Sequence, residues 1–170
     1  KRGLGALFIP GVPILTSGSI LLFTSFFNFW QAWSWLWPMT VTGLALGFLL
    51  AAISMRSIWL LAPAILIGAN GLLLQFCAVT GFWMVWAALW AIEPLALGSS
   101  LLLIGVVRRR SGLSAAGLIL CTIAGMGLMG MSAFLPGYWL IGLLGPVVLV
   151  LIGIGLLIGG LTRNSPAPAQ

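Results

Sequence analysis

The sequence predicts an all-α membrane protein, a polytopic bundle of about six transmembrane helices laid out as three tandem hairpins. Three observations predict it. Of 170 residues, 62% are apolar and only 5% charged, too few ionised groups to clothe a water-facing surface. The seven cations fall at the amino terminus and after every second apolar segment. And part of the chain recurs at a fixed shift of 53 residues.

The length of a membrane-crossing helix, about 20 residues for about 30 Å of hydrocarbon, divides the chain into six spans. They are expected at 4–27, 34–54, 58–79, 83–107, 113–131 and 139–161. Unbroken apolar runs such as Val147 to Leu157 contradict the alternating pattern of a transmembrane β-barrel. The first span follows Lys1-Arg2 and imitates a signal peptide. Leu4 to Phe27 exceeds a typical signal core, and no Ala-x-Ala pattern ends it, so it reads as uncleaved. A soluble domain ahead of Lys1 stays compatible with this reading.

The cations Lys1, Arg2, Arg56, Arg108, Arg109, Arg110 and Arg163 face a single acid, Glu93. Retention of Lys and Arg in cytoplasmic loops puts both termini and every basic turn on that side. Cations strung along connections do not form a stripe with stacking aromatics, so no nucleic-acid partner is expected. The run Arg108-Arg109-Arg110 serves this anchoring, or attracts anionic lipid headgroups or an acidic partner at about 1 kcal/mol per cation.

Shifting the chain by 53 residues superposes Phe29, Trp30, Trp33, Leu36 and Trp37 on Phe82, Trp83, Trp86, Leu89 and Trp90. The same shift pairs Pro10 with Pro63, Gly18 with Gly71 and Leu21 with Leu74. Each unit is a hairpin, 4–54 and 58–107, with an aromatic turn on the outer side. A worn third unit, 113–161, keeps Tyr138-Trp139, Pro146 and Gly155. All three form one bundle over 1–163, and 164–170 is a polar tail. The belt Trp30, Trp33, Trp37, Trp83, Trp86 and Trp90 reads as headgroup anchoring, or more sharply as a cation-binding cage. Gly43 with Gly47 and Gly155 with Gly159 give the spacing that lets helix backbones approach, within the chain or between copies.

Leu36-Trp37-Pro38 leads into a Gly- and Leu-rich span, after a segment carrying Gly18-x-x-Leu21-Leu22-Phe23. This pattern resembles the helical-hairpin transmembrane region of LiaF-like and LiaI-like bacterial envelope-stress proteins, well in the first hairpin, less in the second and weakly in the third. Those proteins usually carry fewer hairpins beside a soluble domain. The three-hairpin plan is similar in architecture to HdeD-type membrane proteins. Both likenesses imply a bacterial cell (inner) membrane and a regulatory or stress-related role without a catalytic site.

Chemistry has few residues to work with. His and Asp are absent, which excludes His-based metal sites, the usual proton shuttle, Ser-His-Asp catalysis and paired carboxylates. No nucleotide-binding glycine motif is present. Cys77 and Cys121 lie about 31 Å and about 16 Å from their nearest basic turns, too different in depth for a disulfide. No enzyme activity, cofactor or metal is expected. Glu93 lies about 22 Å above the inner boundary, as does Ser17, and Asn70 lies at about 21 Å. Two readings compete: Glu93, Asn70 and Ser17 form a polar or ion site, or Glu93, before Pro94, is a wetted carboxylate at a helix start.

The expected function is non-enzymatic contact with membrane lipids, other membrane subunits or a second copy, as an envelope-stress component or accessory subunit. The alternative is a small transporter or substrate-capturing subunit centred on Glu93.

Overall fold

A computed structural model of the chain describes residues 2–83, 86, 90–132, 143 and 145–155. Lys1, Leu89, Tyr138, Trp139, Arg163, the far end of the expected sixth span and the tail lie outside the described residues, and with them the readings placed there. Within them every element is helical, with no strand. Seven α-helices follow in order: α1 Phe8–Phe26, the short α2 Trp33–Leu36, α3 Pro38–Met55, α4 Leu61–Thr80, α5 Ile92–Val107, α6 Ser111–Ser132 and α7 Gly145–Gly155. Four stretches are long and apolar enough to cross a membrane: Leu4–Phe26, Pro38–Met55, Ile58–Thr80 and Ser111–Met131. Two more apolar helices, α5 and α7, are shorter.

Helix ends follow local chemistry. Pro38 opens α3 at its first position, where its missing N–H costs nothing. Three helices end on a non-glycine residue in the left-handed conformation: Asn28 at φ 49°, Arg56 at φ 52° and Arg109 at φ 52°. Each closes the same pair of backbone bonds. Ser57 N–H donates to the Ala52 carbonyl at 2.9 Å and Arg56 N–H to Ile53 at 3.2 Å. Arg110 and Arg109 repeat this on Gly105 and Val106 at 2.8 and 3.1 Å, and Phe29 and Asn28 on Thr24 and Ser25 at 2.9 and 3.3 Å. Gly81, at φ 75°, ends α4 with a single bond to Cys77 at 2.8 Å. Asn28 and Gly81 stand 53 residues apart, and so do Arg56 and Arg109.

Much of the start of the expected fourth span, 83–107, lies outside the described residues. The described helix begins at Ile92, with Glu93 in its first turn and Pro94 next. A proline there has no interior N–H to lose and fits a helix start. The 16 residues of α5 cover about 24 Å at about 1.5 Å each.

The main helices form an open row in which each packs on its sequence neighbours: α1 on α3, α3 on α4, α4 on α5, α5 on α6. Gly145 of α7 sits against Met129 of α6. Small residues make these contacts, as expected where lipid removes the hydrophobic drive for helix association. A Cβ on Gly47 would lie 2.5 Å from the Phe8 carbonyl oxygen and 3.1 Å from that of Ile9. Pro13, inside α1, has no N–H to offer Ile9 four residues back, and the freed Ile9 carbonyl is among the atoms nearest Gly47. A Cβ on Gly43 would lie 2.5 Å from Thr16 Oγ1.

One interface occurs twice. A Cβ on Gly68 of α4 would meet the Ala45 Cβ of α3 at 3.5 Å, and one on Gly98 of α5 would meet Cys121 Sγ of α6 at 2.8 Å. The pairs 45/68 and 98/121 differ by 53 at both members. Glycine has moved from one side to the other, and the larger side chain has moved with it.

Outside these seams the surface is apolar. Ile14, Leu22, Phe26, Ile53 and Val106 are each more than three-fifths exposed. Water would not tolerate so much contiguous hydrocarbon, whereas lipid requires it. The chain is a helical membrane protein.

Candidate functional site

The helices distribute the predicted polar residues rather than gather them. Glu93 is exposed and is the second residue of α5. Its backbone N–H donates to the Trp90 carbonyl at 3.1 Å. Ala91, the residue before α5, supplies no side-chain cap, so among the described residues the carboxylate stands alone beside the positive end of the helix dipole. Asn70 is half-buried on α4 and donates its amide to the Leu66 carbonyl of its own helix at 3.2 Å. No hydrogen bond joins Asn70 to Glu93 among the described residues, and Asn70 instead reaches a backbone acceptor one turn away. Ser17 is half-buried on α1, whose packing partner is α3 rather than α4 or α5. A shared level therefore does not bring the three together.

The hydroxyls behave as Asn70 does. Thr24 and Ser100 are buried, and donate to Leu21 at 3.0 Å and Leu97 at 2.8 Å. Thr16, Thr42, Thr80, Ser99 and Thr122 likewise donate to carbonyls three or four residues back. Each group is satisfied inside its own helix, as an apolar medium demands. Cys77 and Cys121 are buried and free. Among the described residues no cluster of His, Cys, Asp or Glu could hold a metal ion.

Arg56, Arg108, Arg109 and Arg110 are all exposed at two turns. The left-handed backbone at Arg56 and Arg109 reverses the chain within one residue and joins α3 to α4 and α5 to α6. Beside the second turn a groove of about 530 Å³ runs between α5 and α6, lined by Leu102, Val106, Arg109, Ser111, Ser114 and Leu118. Its lining is mostly apolar, with the Arg109 guanidinium and the Ser111 and Ser114 hydroxyls as its polar groups.

The opposite turns carry the aromatics. Trp30, Trp33, Trp83, Trp86 and Trp90 are exposed, while Trp37 is half-buried and stacks on Trp83 with ring centroids 6.5 Å apart and planes at 5°. The stack joins the turn after α1 to the turn after α4. Gln75 of α4 donates its amide to the Trp35 carbonyl of α2 at 2.9 Å, and its Oε1 is buried with no partner among the described residues. Sequence reasoning passed over Gln75. The signal was available, since Gln75 is an uncharged polar residue within an apolar span, five residues from Asn70.

Comparison with known proteins finds no matching family model, curated protein or solved structure. Among the described residues the surface offers one exposed carboxylate at a helix start, two basic turns with an apolar groove beside one of them, and an aromatic turn stacked between neighbours.

Proposed function

We propose that this is a multi-pass protein of a bacterial cell membrane that acts without catalysis, by binding lipids and other membrane proteins, as an envelope-stress component or accessory subunit. The observation that carries the reading is that Thr24, Ser100 and Asn70 donate to carbonyls of their own helices, while Gln75 ties α4 to α2, which leaves recognition to surfaces. Six crossings in three tandem hairpins, with basic turns and termini cytoplasmic, complete it. Support comes from the left-handed residues 28/81 and 56/109 and the contact pairs 45/68 and 98/121, all separated by 53. A helix resembling α3 or α5 thus runs back from each aromatic turn, and an even number of helices per repeat returns each copy to the same orientation. Glu93, exposed at the start of α5, favours this reading over a transporter with a central ion site.

Isolation from native membranes in mild detergent, followed by mass spectrometry of retained proteins and lipids, tests the proposal. A stoichiometric membrane partner or tightly held anionic lipid is expected. A lone chain that retains a polar small molecule, released on Glu93→Gln, would transfer the assignment to the transporter class.

A further inference from the structure

We propose that copies of this chain associate head to tail in the membrane, the outer face of α1 in one copy docking on the outer face of α7 in the next. The inference rests on the three-hairpin reading above and on the interface that the chain already uses twice. In α4 the face turned to α3 carries Ala64, Gly68 and Gly71; Gly71 lies so close that a Cβ there would stand 3.0 Å from the Thr42 backbone nitrogen. In α6 the matching residues, 53 further on, are Gly117, Cys121 and Ala124, all buried, with Gly117 and Cys121 against α5. In α1 the matching residues, 53 earlier, are Gly11, Leu15 and Gly18. They are open: Leu15 is 71% exposed, and a Cβ on Gly11 or Gly18 would meet nothing within 4 Å among the described residues.

What covers this face in α4 and α6 is a helix running the opposite way. In a second copy with the same orientation in the bilayer, α3, α5 and α7 run opposite to α1. Both flanks of α3 and α5 are occupied by neighbours. Among the described residues α7 has a flank to spare. Its inner side, Gly145 and Leu149, packs on α6, whereas Val147, Val150 and Ile154 are about half exposed or more and Gly153 meets nothing within 4 Å among the described residues. An end-to-end contact of this kind is heterologous, so it closes into a ring or continues as a row.

Cysteine cross-linking in native membranes tests this with the full chain. One tagged copy carries Leu15→Cys and a differently tagged copy carries Val150→Cys or Gly153→Cys. Oxidation is expected to give a mixed dimer, and Leu15→Cys with Gly153→Cys in one chain a ladder of dimers and larger species. Gly18→Trp should abolish both products while leaving expression and helix content unchanged, since Gly18 has no neighbour to displace. The proposal is overturned by absence of the mixed dimer, by a dimer of Leu15→Cys alone, or by a double variant that cross-links only within itself. Labelling of the basic turns in the same membranes separates this from the wider reading. If Ser57→Cys and Ser111→Cys react from one side and no mixed dimer forms, only the docking fails; if they react from opposite sides, the three-hairpin plan itself fails.

Discussion

Two arginines occupy backbone positions that glycine usually fills. Left-handed backbone costs an L-residue roughly 1–2 kcal/mol, and Arg56 and Arg109 both adopt it at φ 52°. A charge at the turn is worth that cost if the turn must remain on the cytoplasmic side. Replacing either by Gly is therefore expected to stabilise the folded protein in detergent by about 1 kcal/mol, read from thermal or denaturant unfolding, while weakening the orientation signal. The seam glycines predict the opposite. Gly47→Leu drives a side chain into the Phe8 carbonyl, 2.5 Å from its first atom, and should cost about 1–3 kcal/mol in the same assay. A loss as small as that of an exposed substitution would show that α1 and α3 do not approach through Gly47.

At the level of elements, Glu93 and Gln75 have separate tasks. Glu93 stabilises the start of α5 through its dipole, so Glu93→Gln should lower stability by only about 0.3–1 kcal/mol and leave the retained lipid unchanged. A loss of several kcal/mol would instead reveal a buried partner. Gln75 holds the four-residue α2 to α4 through the Trp35 carbonyl. Gln75→Leu should cost about 0.5–1.5 kcal/mol and increase hydrogen exchange at residues 30–37, with little change in α3. The element boundaries show where sequence reading reached. The ends at Asn28 and Gly81 could be read from residue type, since both tolerate left-handed backbone. The start of α5 at Ile92 could not, because Phe82 to Ala91 is as apolar as the helix that follows. Only the carboxylate and proline at 93 and 94 mark the change.

For the whole molecule the open row of helices is the main consequence. Each helix touches its sequence neighbours, so stability is a chain of local interfaces, much as in repeat proteins, and a defect in one seam should spread little. In the proposed topology few charges set the orientation. Removing Arg108, Arg109 and Arg110 together, as alanines, is expected to scramble the α5–α6 turn. Impermeant maleimide on Ser111→Cys, labelled from outside intact cells, would then rise from background to a substantial fraction. Unchanged protection would mean that the remaining turns dictate topology.

The sequence by itself determined the class of the protein. Its apolar excess, the spacing of its basic turns and the 53-residue shift reduce to composition and period, and neither depends on how helices meet. Tertiary structure decided the rest. Ser17, Asn70 and Glu93 count to a similar depth from the basic turns but share no partner among the described residues, because depth along an axis says nothing about rotation around it. The same limit hid the seams at Gly47, Gly68 and Gly98 and the bare flank at Gly11, Leu15 and Gly18. Glycine is common throughout this chain, and only the position of the neighbouring backbone distinguishes a glycine that admits a helix from one that faces outward.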